Sequence, residues 1–80
     1  MQYDTDKVDD AVLALLTLTV QQEDASGARA WKGHDWDVLN RLHEKGFLGN
    51  PISKAKSVVI TSEGLAKGRA LFETLFAKTS

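Results

Sequence analysis

The run from His34 to Gly64, HDWDVLNRLHEKGFLGNPISKAKSVVITSEG, constrains this chain more than any other. It reads as a helix, a glycine stop, a basic loop, a β-branched strand and a new helix start. Trp36, Leu39, Leu42 and His43 recur at spacings of three and four, which places them on one helix face. Asp35 can cap the first turn, and Asp37 adds charge near the positive end of the helix dipole. Asp37 and Arg41 form an i,i+4 pair in the favourable order. Gly46 stands where a left-handed C′ residue is needed, and Phe47 can fold back on Leu42 as the apolar partner of a Schellman stop. The helix is therefore expected to end at Lys45. Gly49-Asn50-Pro51 is a turn signal, and Ser53-Lys54-Ala55-Lys56 suits an exposed basic loop tip. Ser57-Val58-Val59-Ile60 is a short β-branched strand, expected to close a two-stranded hairpin with residues near Phe47 and Leu48. Thr61 or Ser62 then caps a helix with Glu63 in its first turn.

The flanking segments are less regular. A first helix is expected over residues 6–22, with Asp4, Thr5 or Asp6 as its cap. Val8, Val12, Leu15, Leu16 and Thr19 form one stripe, while Leu13, Leu18 and Val20 lie off it. An apolar surface that wide exceeds what one side of a small core needs, so Leu13 and Leu18 are candidates for contact with a second chain. Residues 23–33 read as a break, with loop signals at Ser26-Gly27 and Gly33 and room for one helical turn over residues 28–32. Trp31 and Trp36 are expected in the core, cementing that segment onto the first helix; the other reading is an aromatic platform for a ligand or base. The last helix is expected over residues 62–77, with Leu65, Gly68, Phe72, Leu75 and Phe76 as its stripe and Leu71 beside it. Gly68 costs roughly 1 kcal/mol relative to alanine in a helix interior. Close approach of another helix would be a reason to keep it. Leu71 and Phe76 are the second pair of candidates for a dimer interface.

These elements make one α+β, mainly α, domain over residues 1–80, with three helices and a two-stranded hairpin. Eighty residues at 42% apolar content bury a modest fraction of their surface, and with no cysteine there is no disulfide to help. Self-association is the remaining common route to stability, so a homodimer is expected. The acidic start MQYDTDKVDD lacks the features of a signal peptide, and the longest apolar run, residues 11–20, is about half of what a membrane span needs. The expectation is a soluble, cytoplasmic protein without a membrane segment. Residues 1–40 carry three Lys/Arg against eight Asp/Glu, a net of −5, and residues 41–80 carry seven against three, a net of +4. A basic half can attract phosphate, and an acidic half can attract a basic partner.

VLNRLHEKGFL followed by KAKSVVITSEGLAKGRALFETLF resembles the recognition-helix, wing and C-terminal-helix portion of MarR- and PadR-type regulators. The residues that carry the resemblance are Leu42, Lys45-Gly46-Phe47-Leu48 and Val59-Ile60-Thr61-Ser62-Glu63-Gly64. The resemblance implies a winged-helix-like fold and a nucleic-acid-binding or transcription-regulatory role. Asn40 and Arg41 would then be base readers, Lys45 would lie on the same helix, and Lys54 and Lys56 would touch duplex DNA from the wing. Asp35, Asp37 and Glu44 on that helix would repel phosphate. The chain as a whole is similar to a family of small bacterial proteins described only as a domain of unknown function, through residues 4–16, Ala30-Trp31-Lys32-Gly33, Asp35-Trp36-Asp37, residues 41–46 and residues 54–59. That similarity implies no established activity. The alternative function is a protein-interaction or dimerisation module that does not bind DNA.

No nucleophile elbow, phosphate loop or cysteine nucleophile is present in the sequence, so no enzymatic activity and no cofactor are expected. His34, Asp35, Asp37 and His43 carry metal-capable atoms but lack the spacing that sets two imidazoles on one helix face, and no metal is expected. His43, beside the apolar stripe, is expected to be partly buried.

Overall fold

The computed structural model describes residues 2–52 and 56–78. Helix α1 spans Thr5–Leu16 and is followed by a 3₁₀ turn, Thr17–Thr19. Strands β1 (Gln22–Asp24) and β2 (Gly27–Trp31) come next, then helix α2 (Trp36–Glu44), strand β3 (Ser57–Thr61) and helix α3 (Ser62–Phe76). The strands form one antiparallel sheet in the order β1-β2-β3.

The α+β class and the three helices agree with expectation, but the two-stranded hairpin is corrected to a three-stranded sheet. The partner of β3 is β2, paired from Gly27↔Thr61 to Trp31↔Ser57. The expected pairing with Phe47 and Leu48 shrinks to one bridge, Leu48↔Ile60, with Gly49 N donating to Val59 O at 2.8 Å. The segment expected as a helical turn over residues 28–32 therefore lies, through Trp31, in the central strand. Ala28 and Ala30 point into the core, while Arg29 and Trp31 point away from it. This is an alternating pattern, but alanine and arginine give it little β character. Asp24 builds the turn before it: its Oδ1 accepts from Ser26 N at 2.8 Å and Ser26 Oγ at 2.6 Å. Gly27, at φ 139°, then takes a conformation that an L side chain resists.

Helix α1 stops six residues short of the expected end. Thr17 Oγ1 donates to Ala14 O at 2.6 Å and Thr19 Oγ1 to Leu16 O at 3.1 Å, tightening the chain into the 3₁₀ turn. Thr19 Oγ1 also accepts from Trp31 N, and Gln21 N donates to Arg29 O, so strand pairing pulls the chain out of helix. The buried stripe of α1 is Asp9, Leu13, Ala14 and Leu16; Val8 and Leu15, on the expected stripe, are largely exposed.

The stop of α2 is the Schellman motif expected from Gly46. Gly46, at φ 84°, donates to His43 O and Phe47 N donates to Leu42 O, both at 3.0 Å. Asp35 is the N-cap residue of α2, although its side chain makes no capping hydrogen bond. Thr61 caps α3, its Oγ1 accepting from Gly64 N at 3.0 Å.

Leu13, Leu16, Ala28, Ala30, Val38, Leu39, Leu42, Leu48, Val58, Ile60 and Leu65 make one core between the helices and the inner face of the sheet. Two glycines of α3 let it seat there. A Cβ on Gly68 would stand 3.0 Å from Leu13 O and 2.8 Å from Thr17 Cγ2, which is the close helix approach that the sequence suggested. A Cβ on Gly64 would overlap the carbonyl of Phe47. That carbonyl also accepts from Thr61 N at 3.1 Å and cannot withdraw without losing the bond. Gly64→Ala should therefore cost about 2–3 kcal/mol despite alanine's better helix propensity. A denaturant melt checks this; a midpoint equal to wild type would refute the close packing.

Candidate functional site

The expected reading helix is where the structure departs furthest from the sequence pattern. Asn40 is exposed on α2. Arg41 does not pair with Asp37 but turns toward α1. Its Nε lies 3.0 and 2.9 Å from the two oxygens of Asp9, and its Nη2 lies 2.7 Å from Oδ1. Lys45 Nζ reaches the same carboxylate at 3.0 Å and Asp6 at 3.2 Å. Asp9 is fully covered, but only by a thin lid, because the Arg41 and Lys45 side chains above it are each 34% exposed. Burial pushes the Asp9 carboxyl up, yet hydrogen bonds and charge from Arg41 and Lys45 outweigh it and hold the group below the usual range. Two of the five residues expected to meet nucleic acid are therefore held in a structural ion cluster. Lys56 is exposed beside β3, and Lys54 lies outside the described residues.

The candidate dimer residues divide in the same way. Leu13 is 0% exposed and packs within its own chain, so it cannot face a second one. Its neighbour across α3 is Gly68. Leu71 is half-buried against the core. Leu18, on the 3₁₀ turn that packs on α3, and Phe76, near the end of α3, are exposed. Leu75 is exposed as well, and the rings of Phe72 and Phe76 meet with centroids 5.3 Å apart. The first half of α3 buries Gly64, Leu65 and Gly68, and the second half has no fully buried residue.

A further surface, weighed in the sequence only as the alternative for the tryptophans, is the outer face of the sheet. Register places Gln22, Arg29 and Val59 in one row and Trp31 and Ser57 in the next. Trp31 is 47% and Trp36 51% exposed, so the expectation that both are core residues is corrected. The core beneath them is already filled by Ala30, Val38, Leu39 and Val58. Arg29 Nε donates to Ser57 Oγ at 2.9 Å, and Lys32 Nζ donates to Pro51 O and stands 5.6 Å from the centre of the Trp36 ring. His43 is exposed and not partly buried; its Nδ1 lies 2.9 Å from Leu48 O. Among the described residues, no group of three or more His, Cys, Asp or Glu side chains converges as a metal site, and no helix is long and apolar enough to cross a membrane.

The architecture defines a small α+β domain with three helices and a three-stranded antiparallel sheet. The chain belongs to the family described as Domain of unknown function (DUF6429), whose model matches residues 4–78. It is 50% identical over 78 residues to the "Uncharacterized protein y4hR" of Sinorhizobium fredii (strain NBRC 101917 / NGR234), a match that covers 98% of this chain and 100% of that protein. No solved structure matches.

The ion cluster has a pH signature. The folded-state pKa of Asp9 lies below the unfolded value, so its contribution is complete above about pH 4 and is lost as pH falls through the folded value. Asp9→Asn should lower stability at neutral pH by roughly 1–2 kcal/mol, less than a fully buried pair would lose because both cations can reach water. Below about pH 4 its stability should fall less steeply than that of wild type. Glu23 and Asp24, whose carboxyls are also held low, leave some slope in both proteins. Urea melts across the acid range measure this, and parallel curves would remove Asp9 from the acid response.

Proposed function

We propose that this domain is a non-catalytic interaction module that pairs with a second copy of itself through the outer half of α3. The carrying observation is the exposure of Leu75 and Phe76 beside Phe72, on a helix whose inner half is closely packed. Single apolar side chains at a surface need no explanation, but adjoining exposed apolar residues on one helix end form the kind of patch that marks an interaction site, and phenylalanine is enriched at interfaces. Leu18, on the turn that packs on α3, is exposed as well. A chain of eighty residues also gains in stability by covering such a surface.

The duplex-DNA reading, with a winged-helix-like α2 in the major groove, draws less support. Arg41 and Lys45 are occupied by Asp9, and Asp35, Asp37 and Glu44 leave the exposed side of α2 acidic. Lys56 alone among the described wing residues offers a charge to phosphate.

Light scattering after size exclusion should give twice the monomer mass for wild type. Phe76→Glu should shift it to monomer, with helix content kept because Phe76 lies at the open end of α3. A wild type that remains monomeric at high concentration would overturn the proposal.

A further inference from the structure

We propose that the outer face of the sheet binds single-stranded nucleic acid, with the Trp31 indole stacking on a base and Arg29 and Lys56 holding the adjacent phosphates. This goes beyond self-association and rests on a different surface. Trp31 stands on the side of the sheet away from the helices, in the row of Ser57 and next to the row of Arg29 and Val59. The core has no place for it, and it remains 47% exposed although indole is costly to leave in water. Its ring is held from one edge: a Cβ on Gly33 would stand 2.5 Å from Trp31 Nε1, so the backbone lies against the indole without covering the rest of it.

The charges around this ring fit a polyanion. Lys32 N donates to Lys56 O at 3.1 Å, which places the exposed Lys56 at the end of the sheet where Trp31 pairs with Ser57, while the Lys32 ammonium is engaged by Pro51 O and the Trp36 ring. Arg29 is anchored to Ser57 in the neighbouring row through Nε and Nη2. Asp24, which the register places on the outer face, is at the opposite hairpin end and is engaged by Ser26. A depression of about 160 Å³ at the hairpin end is lined in part by Gln22, Asp24, Ser26, Gly27, Arg29 and Val59. An open sheet carrying an aromatic ring among cations suits bases that are already unstacked. A duplex keeps its bases stacked and out of reach of an indole on a flat face. An acidic peptide would satisfy Arg29 and Lys56 but leave the ring without a stacking partner.

Tryptophan fluorescence of the full chain, titrated with an oligothymidylate, an oligouridylate, a mixed-sequence duplex and polyglutamate, tests the proposal. The single strands should quench saturably, and log affinity should fall with log salt at a slope of about −1.4, as about two phosphate contacts on a single strand require. Lys56→Glu, an exposed change, should weaken binding and flatten that slope by about 0.7 or more. Trp31→Ala should weaken binding roughly tenfold or more. The Trp36→Phe variant leaves Trp31 as the sole reporter, so saturable quenching there supports the stack even if Trp31→Ala fails to fold. Absence of quenching by either single strand at low salt would overturn the proposal, as would a folded Trp31→Ala that binds like wild type. Equal or tighter binding of the duplex or of polyglutamate would do the same.

Discussion

The buried carboxylate of Asp9 is the constraint around which the helices are arranged. It sits on the inward stripe of α1, one turn before Leu13, where a leucine would ordinarily lie. An ion without partners in that position is expensive, so it admits only arrangements that bring cations to it. Arg41 does so from the last turn of α2 and Lys45 from its C-cap, and the fork of Arg41 fixes orientation as well as distance. The crossing of α1 and α2 is thus specified by polar geometry, while α1 and α3 are specified by the shape of Gly68 against the Leu13 carbonyl. Leucines in the shared core tolerate several registers; a forked ion pair and a missing methyl group tolerate far fewer.

This division explains what was legible in the sequence. Signals that act within a few residues were clear. Gly46 announced the end of α2, Thr61 the start of α3, and Val58, Val59 and Ile60 the last strand. Gly68 suggested a close helix contact even without its partner. Signals that depend on distant chain segments were hidden. Asp9 looks like one more acid at the start of a helix, and nothing local says that its carboxylate faces Arg41 thirty-two residues away. The expected apolar stripe of α1 therefore meets the core at Val12 and Leu16 but leaves Val8 and Leu15 exposed. Strand β2 was hidden for a related reason. Ala28 and Ala30 are small because α3 packs on that strand, and small residues carry little strand preference of their own.

The candidate binding residues were harder to place than the fold. Arg41 and Lys45 have the composition of a nucleic-acid contact and the geometry of an internal brace. The tryptophans have the composition of a core and the geometry of a surface. In both cases residue type gave the chemistry that a side chain can do, and the sheet register or the position of Asp9 decided which use was open to it.

The order of the strands carries a last consequence. Strand β1 is only three residues long and forms one margin of the sheet, with Gln22, Glu23 and Asp24 all exposed. The opposite margin, on β3, is met by the Leu48 bridge and the Gly49 amide. A bare margin invites strands of other molecules to add to it and begin a fibril. Here it is brief, it carries two carboxylates, and Glu23 is turned under the sheet to a two-pronged bond with Arg69 of α3. The hairpin that completes the fold therefore also ends the sheet, and copies of the chain are denied growth by strand addition at that edge.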